Sequence, residues 1–559
     1  MNVTAAPWVT RRDVVPLPRS ALLLCCALWL LPGLLGRDPW RNAEVTSFAL
    51  MSAMAQGKID WWAPTIGGLA VDTPLLPHWL GAWAIQLFGS FMEPVMSVRV
   101  AFAGLLMLTM AAVWYATFHL ARTEAAQPIP MPFGGEAPAV DYARALADGA
   151  LLAFVATLGL LQLGHEASSE LLQLAAMSAF IWSVAAAPWR RFTARFVALI
   201  SLSALAASGA PSFSVLMGLA GVVICVRSGY PGARHFVAWI VASVILALLT
   251  TSLLGAWRWR YALQPTWAEL WLILRQWTWF LWPVWPLAIW TAWRWRSRWG
   301  NRHVALPMAT ALLALSCSVF LGGDDRTLLL ATPGMAIMAA FALPTFKRQA
   351  TAAIDWFSIF FFSTCALFIW FMYGAMQTGV PAKPAANVAR LAPGYTPEFN
   401  VVALALGLIG SLGWCLVVRW RTSRQVHPLW KSLVLPAAGV VMCWLLLMTL
   451  WLPLLDYARS YRSVVERLRP HLDPNNTCVV VKGANTALVA SLEVFSDRKP
   501  DARPGAEARP ECTSWIQVVR GPSQSLPESL PGWRFQASTQ RPTDREERIG
   551  VYRRLATSP

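Results

Sequence analysis

Residues 37–79 read RDPWRNAEVTSFALMSAMAQGKIDWWAPTIGGLAVDTPLLPHW and follow directly after the first hydrophobic segment of the chain. In membrane proteins, ionisable groups held at the hydrocarbon boundary are costly, and they commonly mark a functional site. This interval is dense in such groups, although the rest of the chain is mostly apolar. It therefore predicts a site rather than a passive connector, and its ionisable residues include Asp38, Arg41, Glu44, Lys58, Asp60, Asp72 and His78.

The overall composition indicates a membrane protein. The chain has 559 residues, of which 56% are apolar and 13% are charged, and its mean hydropathy is +0.47. Soluble globular domains are about 25% charged. The apolar residues fall into runs of roughly 17–25 residues, the length that a helix needs to cross a ~30 Å hydrocarbon core. The composition predicts a mainly α-helical, polytopic transmembrane protein.

The hydrophobic pattern predicts about thirteen transmembrane spans. The first is interpreted as an uncleaved helix rather than a signal peptide, because no A-x-A cleavage site follows its Leu-rich core. Segments 42–56 and 75–89 are predicted to be helices on the membrane surface, the first amphipathic and the second too short to cross. The predicted spans are 16–36, 97–120, 145–164, 169–187, 193–208, 211–228, 236–255, 275–294, 304–321, 327–345, 354–376, 399–418 and 432–454.

The distribution of positive charge predicts the orientation. The formal net charge is +17, yet the Arg and Lys residues lie in short loops between apolar runs rather than on one face or tail. That pattern is typical of topology determinants and argues against a nucleic-acid partner. The side that carries these loops is expected to be cytoplasmic. The alternate loops then share the outer face, and they are 38–78, 165–170, 208–212, 258–261, 322–326, 377–400 and the C-terminal tail.

After Asp456 the sequence becomes charged and Pro-rich. We therefore predict a transmembrane domain at 1–456, which includes the outer loop 37–90, and a separate C-terminal domain at 457–559 on the outer side. A helix at 457–472, short strands at TCVVVKG, SWIQVVR, GWRFQAS and IGVYRRL, and a helix at ANTALVASLEVFS predict a small α/β fold. Cys478 and Cys512 lie in this domain and can pair if its compartment is oxidising.

The outer loop contains the spacing Asp38-x-x-Arg41-x-x-Glu44. On a helix beginning near Asp38, this spacing would place an acid, a base and an acid on neighbouring turns of one side. The structural alternative for Asp38 is a helix N-cap, whose carboxylate accepts from free backbone N–H groups.

A second acid lies on a later outer loop. Glu170 opens an apolar helix, and the alternative to a functional role is a carboxylate stabilised by the helix dipole. His165 and Glu166 precede it by about one turn, where a hydrogen-bonded structural pair is the alternative. Two outward carboxylates fit group transfer, since one can remove a proton from an acceptor hydroxyl while the other orients sugar or acceptor.

A leaving group that carries phosphate needs cations. Arg258 and Arg260, in AWRWRY on a predicted outer loop, fit that role because a guanidinium binds phosphate through two parallel hydrogen bonds. The alternative is an interface anchor, since basic residues beside Trp are common at membrane surfaces.

Two weaker hypotheses concern a metal and a lid. A divalent metal held by Asp72, His78 and His165 has less support, because these residues lack a closed set of ligand spacings. The loop 377–398, which contains Tyr395, is either a cover over lipid or acceptor or a plain connector.

Taken together, these features resemble the membrane-embedded GT-C glycosyltransferases, in particular the aminoarabinose lipid A transferase and protein O-mannosyltransferase family. The resemblance is carried by the D-x-x-R-x-A-E string at 38–44, the stretch DTPLLPHW from Asp72, the SSELL helix start at Glu170 and the SGAP turn at Ser208. It implies that Asp38 is the catalytic Asp of the first outer loop, acting as a base, and that Glu170 is the second acidic residue of the site. Thr73 belongs to the stretch that corresponds to the family's K-P-P-L-x-x-W motif.

The resemblance also implies the reaction. The donor would be a sugar linked through phosphate to a polyprenol (undecaprenol), and the acceptor a lipid or other envelope molecule at the periplasmic face of a bacterial inner membrane. Transfer would invert the anomeric carbon, and no cofactor is firmly implied.

Three positions depart from the family pattern. Its phosphate-contacting Lys is Thr73 here, its K-G-P turn is Ser208-Gly209-Ala210, and its second acid is Glu170 instead of Asp. Arg258 or Arg260 could take over the phosphate, the donor could differ, or the chain could be an inactive homologue with a binding or assembly role. A transporter or flippase of a lipid-linked intermediate is less favoured, because it would need ionisable groups at mid-membrane.

Overall fold

The computed structural model describes residues 8–40, 42–132, 134–257, 262, 266–423, 428–496, 498–521, 525–541 and 546–555. The chain is mainly helical, as predicted. Its helices are α1 (Arg19–Leu30), α2 (Ala43–Ala55), α3 (Leu75–Phe88), α4 (Pro94–Ala121), α5 (Ala139–Ala156), α6 (Leu160–Leu163), α7 (Ser169–Ala186), α8 (Arg191–Ala207), α9 (Pro211–Val226), α10 (Pro231–Leu253), α11 (Trp267–Phe280), α12 (Val284–Arg294), α13 (Arg302–Phe320), α14 (Thr332–Ala342), α15 (Arg348–Thr378), α16 (Ala382–Leu391), α17 (Val401–Thr422), α18 (Val434–Leu450), α19 (Leu452–Arg459), α20 (Arg462–Leu468) and α21 (Thr486–Phe495). Its strands are β1 (Thr65–Ile66), β2 (Leu69–Ala70), β3 (Cys478–Lys482), β4 (Lys499–Asp501), β5 (Ser514–Arg520), β6 (Ser529–Leu530), β7 (Trp533–Gln540) and β8 (Glu547–Arg554).

Within the described residues, 8 helical segments are long and apolar enough to cross a membrane. Other predicted spans coincide with shorter or interrupted helices. The predicted span 16–36 contains α1, which has 12 residues, and the predicted span 275–294 is divided into α11 and α12 on either side of Pro283. The number thirteen therefore stays a prediction. The eight segments are Pro94–Ala121, Ser169–Ala186, Gly232–Leu253, Arg302–Phe320, Thr327–Thr345, Arg348–Thr378, Val401–Thr422 and Leu429–Leu450.

The helical bundle has a centre and a periphery. The segment around α14 is 94% buried within the protein, whereas α17 is only 11% buried although it is more apolar. A long apolar helix with little protein around it is expected to face lipid.

The motif at 38–44 does not lie on one helix. No helix includes Asp38 in the described residues 37–40, and α2 begins only at Ala43. The prediction of a helix starting near Asp38 is therefore wrong. Pro39 disfavours a helical backbone at the residue before it, and Asn42, with φ at 65°, turns the chain immediately before α2.

Helix α2 is covered on two sides. Val45, Ala49 and Leu50 pack into the core of the C-terminal domain, whereas Phe48 and Met51 pack into the core of the helical bundle. The sequence predicted an amphipathic helix lying on the membrane surface, and a helix is present there. Its second face, however, is buried by α21 rather than left polar and open.

A short hairpin follows α2 and also contacts the C-terminal domain. Strands β1 and β2 are joined through Gly67 and Gly68, which have φ of 57° and 75°. A two-residue turn of this kind needs positive φ at both central positions, and glycine supplies it without strain. Gly67 donates its N–H to Glu493 at 3.1 Å and accepts from the backbone N–H of Ala502 at 2.9 Å. The outer loop is therefore anchored to α21 and to the residue that follows β4.

The C-terminal region forms a mixed sheet with strand order β4-β3-β5-β8-β7-β6. Strands β3, β4 and β5 are parallel, and α21 connects β3 to β4 on one face. The four predicted strands and the predicted helix at ANTALVASLEVFS are present as β3, β5, β7, β8 and α21, and the structure adds the short strands β4 and β6. The prediction of one helix over 457–472 is wrong, because the backbone turns extended at Ser460, with ψ of 150°, between the end of α19 and the start of α20. Cys478 and Cys512 form a disulfide with a Cα–Cα distance of 4.7 Å. Helix α19 begins at Leu452, so the predicted domain boundary after 456 falls inside a helix.

Candidate active site

A cavity of about 560 Å³ lies at one end of the bundle. It is formed where α3 and α7 begin, where α8 turns into α9, and where α10 and α13 end. Several loops that the charge pattern assigned to the outer face contribute to it. Its lining residues are Asp72, Thr73, Pro74, Leu75, Ser169, Glu170, Gln173, Ala207, Gly209, Ala210, Pro211, Ser212, Phe213, Leu216, Leu254, Gly255, Ala256, Cys317, Phe320, Leu321, Asp324, Thr327 and Leu330.

Three separate stretches from the sequence analysis meet in this cavity. They are the DTP stretch with Thr73, the start of α7 with Glu170, and the SGAP turn. Gly209 lies so close to Pro74 that a Cβ atom at Gly209 would come within 2.8 Å of the proline ring. The amide of Gln173 donates to the carbonyl of Ser208 at 2.7 Å. The departures from the family pattern at Thr73 and at the SGAP turn therefore both lie at this cavity.

Glu170 shares an arginine with its neighbour Glu166. Arg326 contacts Glu166 at 2.5 Å and Glu170 at 3.3 Å. Burial raises the pKa of Glu166, although the Arg326 guanidinium opposes this. Glu170 is more open, since its side chain is 22% exposed whereas that of Glu166 is 1% exposed. Glu170 is thus the carboxylate of the pair that a bound molecule can reach.

Glu44 belongs to a buried ion cluster. Its two carboxylate oxygens accept from Arg37 at 2.5 and 2.9 Å, and Arg99 lies 3.5 Å away. Burial alone would raise the pKa of Glu44, but the charges of Arg37 and Arg99 hold it below its usual value. The side chains of all three residues are at most 4% exposed, and none of the three is in the described lining of the cavity.

Asp38 has a different environment. Arg462 of α20 donates to its two carboxylate oxygens at 2.7 and 2.6 Å, and the hydroxyl of Ser460 donates at 2.9 Å. The side chain of Arg462 is 51% exposed, and its guanidinium lies over the Phe495 ring at 4.8 Å. The carboxylate of Asp38 is therefore held from the C-terminal domain, outside the described lining of the cavity.

The backbone around Asp38 is fixed by further hydrogen bonds. Asp456 accepts from the backbone N–H of Asp38 and from the indole of Trp40, each at 2.9 Å. Arg99 donates to the carbonyls of Arg37 and Asp38 at 2.6 and 2.8 Å. Burial and the nearby charge of Asp38 raise the pKa of Asp456.

A chain of contacts connects Asp38 to the cavity wall. Arg37, next to Asp38, donates to the carbonyl of His165 at 2.8 Å. Glu166 follows His165 and contacts Arg326, which reaches Glu170. The two acids predicted to be catalytic thus lie on the same end of the bundle, and the backbone that carries Asp38 is connected through Arg37 to the backbone beside Glu166.

The predicted histidines are buried among structural groups. The Nδ1 atom of His78 is 2.5 Å from the Pro74 carbonyl, and burial lowers the pKa of His78 to about 4. The His165 ring packs against Trp29 and Trp444 at centroid distances of 4.8 and 5.0 Å. Neither histidine is among the described cavity residues, and no three His, Cys, Asp or Glu side chains in the described ranges are grouped to hold a metal.

Tyr395 lies away from the described cavity lining. Its ring packs against Tyr457 of α19 at 5.6 Å. The same loop is bound to the C-terminal region through the carbonyl of Pro393, which accepts from Tyr457 at 2.7 Å and from Arg467 at 3.0 Å. The loop 377–398 thus packs onto the segment that supplies Arg462.

Three predicted site residues, Arg41, Arg258 and Arg260, lie outside the described residues. Arg258 follows the lining residue Ala256 by two positions in the sequence.

Sequence reasoning missed the arginines that organise this site. Arg99 lies inside a predicted span, and a charge at that position was a usable signal. Arg326 was assigned to an outer loop but not to the site. Arg462 and Ser460 are two of many polar residues in the C-terminal region, so only their contact with Asp38 distinguishes them.

Comparison with known proteins identifies the fold. The crystal structure of ArnT from Cupriavidus metallidurans bound to undecaprenyl phosphate matches with a TM-score of 0.60 at 14% identity, over 97% of this chain and 99% of that chain. The apo structure of the same protein matches with a TM-score of 0.57 at 13% identity, over 95% of this chain and 98% of that chain. ArnT is an aminoarabinose lipid A transferase with a GT-C fold. No protein-family model and no curated protein matches the sequence. The predicted GT-C architecture is therefore confirmed as a fold.

Proposed function

We propose that this protein is a GT-C glycosyltransferase that moves a sugar from a polyprenyl (undecaprenyl) phosphate donor to a lipid or other envelope acceptor. The reaction would take place at the periplasmic face of a bacterial inner membrane, with the C-terminal domain in the periplasm. The observation that carries the proposal is the meeting of Thr73, Glu170 and the SGAP turn in one cavity. The solved relative with the same fold holds undecaprenyl phosphate.

The size and lining of the cavity suit such a donor. About 560 Å³ lies within the range of small-molecule sites. The wall combines carboxylates with apolar side chains, among them Leu216 and Phe320, which are 43% and 55% exposed. A polar sugar can face Asp72 and Glu170 while an isoprenoid chain leaves along the apolar side.

The two acids have distinct roles in this proposal. Glu170 orients the sugar in the cavity, whereas Asp38 lies outside the described lining and acts on an acceptor that enters from the side of the C-terminal domain. Asp38 takes the proton from the acceptor hydroxyl as the oxygen attacks the anomeric carbon. The bond between the anomeric carbon and the phosphate oxygen breaks, and polyprenyl phosphate leaves with the electron pair. Cationic groups stabilise the charge that develops on this phosphate.

A donor panel tests the proposal directly. Purified protein is incubated with a set of polyprenyl phosphate sugars and a crude envelope lipid acceptor, and the release of free polyprenyl phosphate is measured. Wild type should turn over at least one donor, and Asp38→Asn should lower the rate by about 10³-fold, the usual contribution of a general base.

Asp141→Asn provides a matched control. This carboxylate on α5 makes an exposed pair with Arg144 at 3.7 Å, and it is not in the described lining of the cavity. Its substitution should leave turnover unchanged. Turnover that survives Asp38→Asn would remove Asp38 from the mechanism, and no turnover with any donor would favour a binding or assembly role.

A further inference from the structure

We propose that Arg462 is a phosphate-binding residue of the donor site, which leaves the Asp38 carboxylate when a polyprenyl phosphate donor binds and thereby frees Asp38 to act as a base. This inference rests on the proposed function and adds a residue from the C-terminal domain to it. It concerns the contact between Asp38 and α20, which the sequence did not predict.

The first step concerns the state of Asp38. A carboxylate that accepts two hydrogen bonds from one guanidinium and a third from a hydroxyl has few free lone pairs for an acceptor proton. Arg462 and Ser460 make these contacts at 2.6 to 2.9 Å. The described arrangement leaves about one acceptor site on Asp38, and we take it as the state before the donor binds, from which departure of Arg462 frees the carboxylate.

The second step concerns where the leaving phosphate must be. A general base has to lie within hydrogen-bond reach of the attacking hydroxyl. In a displacement with inversion, the leaving phosphate oxygen is on the opposite side of the same sugar carbon. The cation that binds this phosphate therefore lies across that carbon from Asp38, at a distance that a long arginine side chain beside Asp38 can cover by changing its rotamer.

The third step compares the cations near Asp38, of which Arg459 lies over the Trp40 ring at 5.0 Å and already donates to Gln162. Arg37 and Arg99 are buried against Glu44 and backbone carbonyls, with side chains at most 4% exposed. Arg326 is 19% exposed and contacts two carboxylates. Arg462 is 51% exposed, so it can change partner with less disruption. A guanidinium binds carboxylate and phosphate with the same bidentate geometry, which makes the exchange chemically direct.

The departure at Thr73 fits this arrangement. The resemblance places a phosphate-contacting lysine at that position, and the hydroxyl of Thr73 carries no charge. Arg462 is not in the described lining that contains Thr73, and under the proposal its guanidinium supplies the missing cation once it has left Asp38. The contact of Arg541 with the carbonyl of Arg459 at 3.1 Å holds the segment that carries Arg462.

In the reaction, the donor phosphate accepts the two hydrogen bonds from Arg462 that Asp38 accepts before the donor binds. The acceptor hydroxyl then donates its hydrogen bond to Asp38 and loses its proton to it. The new bond between the acceptor oxygen and the anomeric carbon forms as the bond to the phosphate oxygen breaks. The phosphate leaves as an anion bound to Arg462, so charge and protons balance.

The exchange predicts opposite effects of two substitutions on the binding of undecaprenyl phosphate, the probe. Arg462→Gln should weaken binding by about 10- to 100-fold, because a charge-assisted contact is lost. Asp38→Asn should tighten binding by about two- to fivefold, because an exposed ion pair no longer competes for Arg462. The double variant should bind like Arg462→Gln alone. Arg462→Lys keeps the positive charge but cannot donate two parallel hydrogen bonds. Its affinity for the probe should lie between those of wild type and Arg462→Gln.

Arg469→Gln is the matched control, since it removes one exposed positive charge seven residues further along the chain. It should bind the probe like wild type. An ion pair that only stabilises the fold predicts that both single variants weaken binding, and that result overturns the proposal. Equal binding by Arg462→Gln and wild type also overturns it.

Two readouts separate this proposal from the proposed function. One outcome is that wild type binds the probe and turns over a donor while Arg462→Gln and Asp38→Asn do not change probe affinity in opposite directions. In that case the exchange is wrong and the enzyme assignment stands. If wild type neither binds the probe nor turns over a donor, both are wrong. Should Arg462→Gln fail to fold, Asp38→Asn still decides, because unchanged or weaker binding by that variant contradicts the exchange.

Discussion

Glu44 and Asp38 lie six residues apart in one motif, yet their ion pairs differ in burial and in origin. Glu44 is paired inside the bundle with Arg37 and Arg99, and all three side chains are at most 4% exposed. Asp38 is paired across a domain boundary with Arg462, which is 51% exposed. The comparison shows that one sequence motif can combine an acid paired inside the bundle with an acid paired to an exposed arginine.

The difference follows from desolvation. Removing one partner of a buried pair leaves an uncompensated charge in a medium of low polarity, which is strongly destabilising. An exposed partner can return to water, so its pair contributes little to stability. The Glu44 cluster therefore fixes the backbone at 37–40, whereas opening the Asp38 contact is expected to cost little.

The largest expected effect is on stability at Glu44. Glu44→Gln should lower the free energy of unfolding by about 3–5 kcal/mol, because Arg37 and Arg99 remain buried without a countercharge. Thermal unfolding in detergent, measured beside Asp38→Asn, checks this. Asp38→Asn should cost no more than about 1 kcal/mol. Equal losses in the two variants would break the comparison.

The next effect is a pH dependence at His165, which lies beside the Glu44 cluster. Burial lowers the pKa of His165 to about 4 from an ordinary 6.5. Because the fold favours the neutral ring, its contribution is complete above pH 6.5 and is lost as the pH falls toward 4. The loss for this one group amounts to about 3 kcal/mol.

His165→Gln isolates this contribution, since the amide does not titrate. The difference in unfolding free energy between wild type and variant should shift in favour of the variant as the pH falls from 6.5 to 4. A difference that stays constant over this range would mean that His165 is protonated in the fold or not buried.

The smallest effect is expected at Glu170, whose exposure lies between those of Glu44 and Arg462. Glu170→Gln should reduce turnover by about 100-fold through misplacement of the substrate and change stability by less than about 1 kcal/mol, because Arg326 keeps Glu166 as a partner. Turnover and unfolding are measured on the same preparation. A large loss of stability with normal turnover would place Glu170 with the structural acids.

Much of the architecture could be predicted from local patterns. Long apolar runs predicted the helices and the helix start at Glu170, and the alternation of apolar and polar residues predicted the C-terminal strands. These patterns are local because a helix and a strand each bury residues at their own sequence period. The prediction of a helix at Asp38 was wrong because Pro39 disfavours a helical backbone at Asp38 and because Asn42, with positive φ, interrupts the helical backbone before α2. The outer face of α2 was misjudged because its partner, α21, lies more than 400 residues away in the chain.

The sequence by itself determined that this is a helical membrane protein with a GT-C pattern and that its acids gather on one side, because hydrophobicity and charge are properties of each segment. Only the tertiary structure decided which arginine meets which acid. Arg37, Arg99, Arg326 and Arg462 have the same chemistry, and their roles differ through burial and partner. Those quantities arise only when distant segments pack together, so no local pattern encodes them.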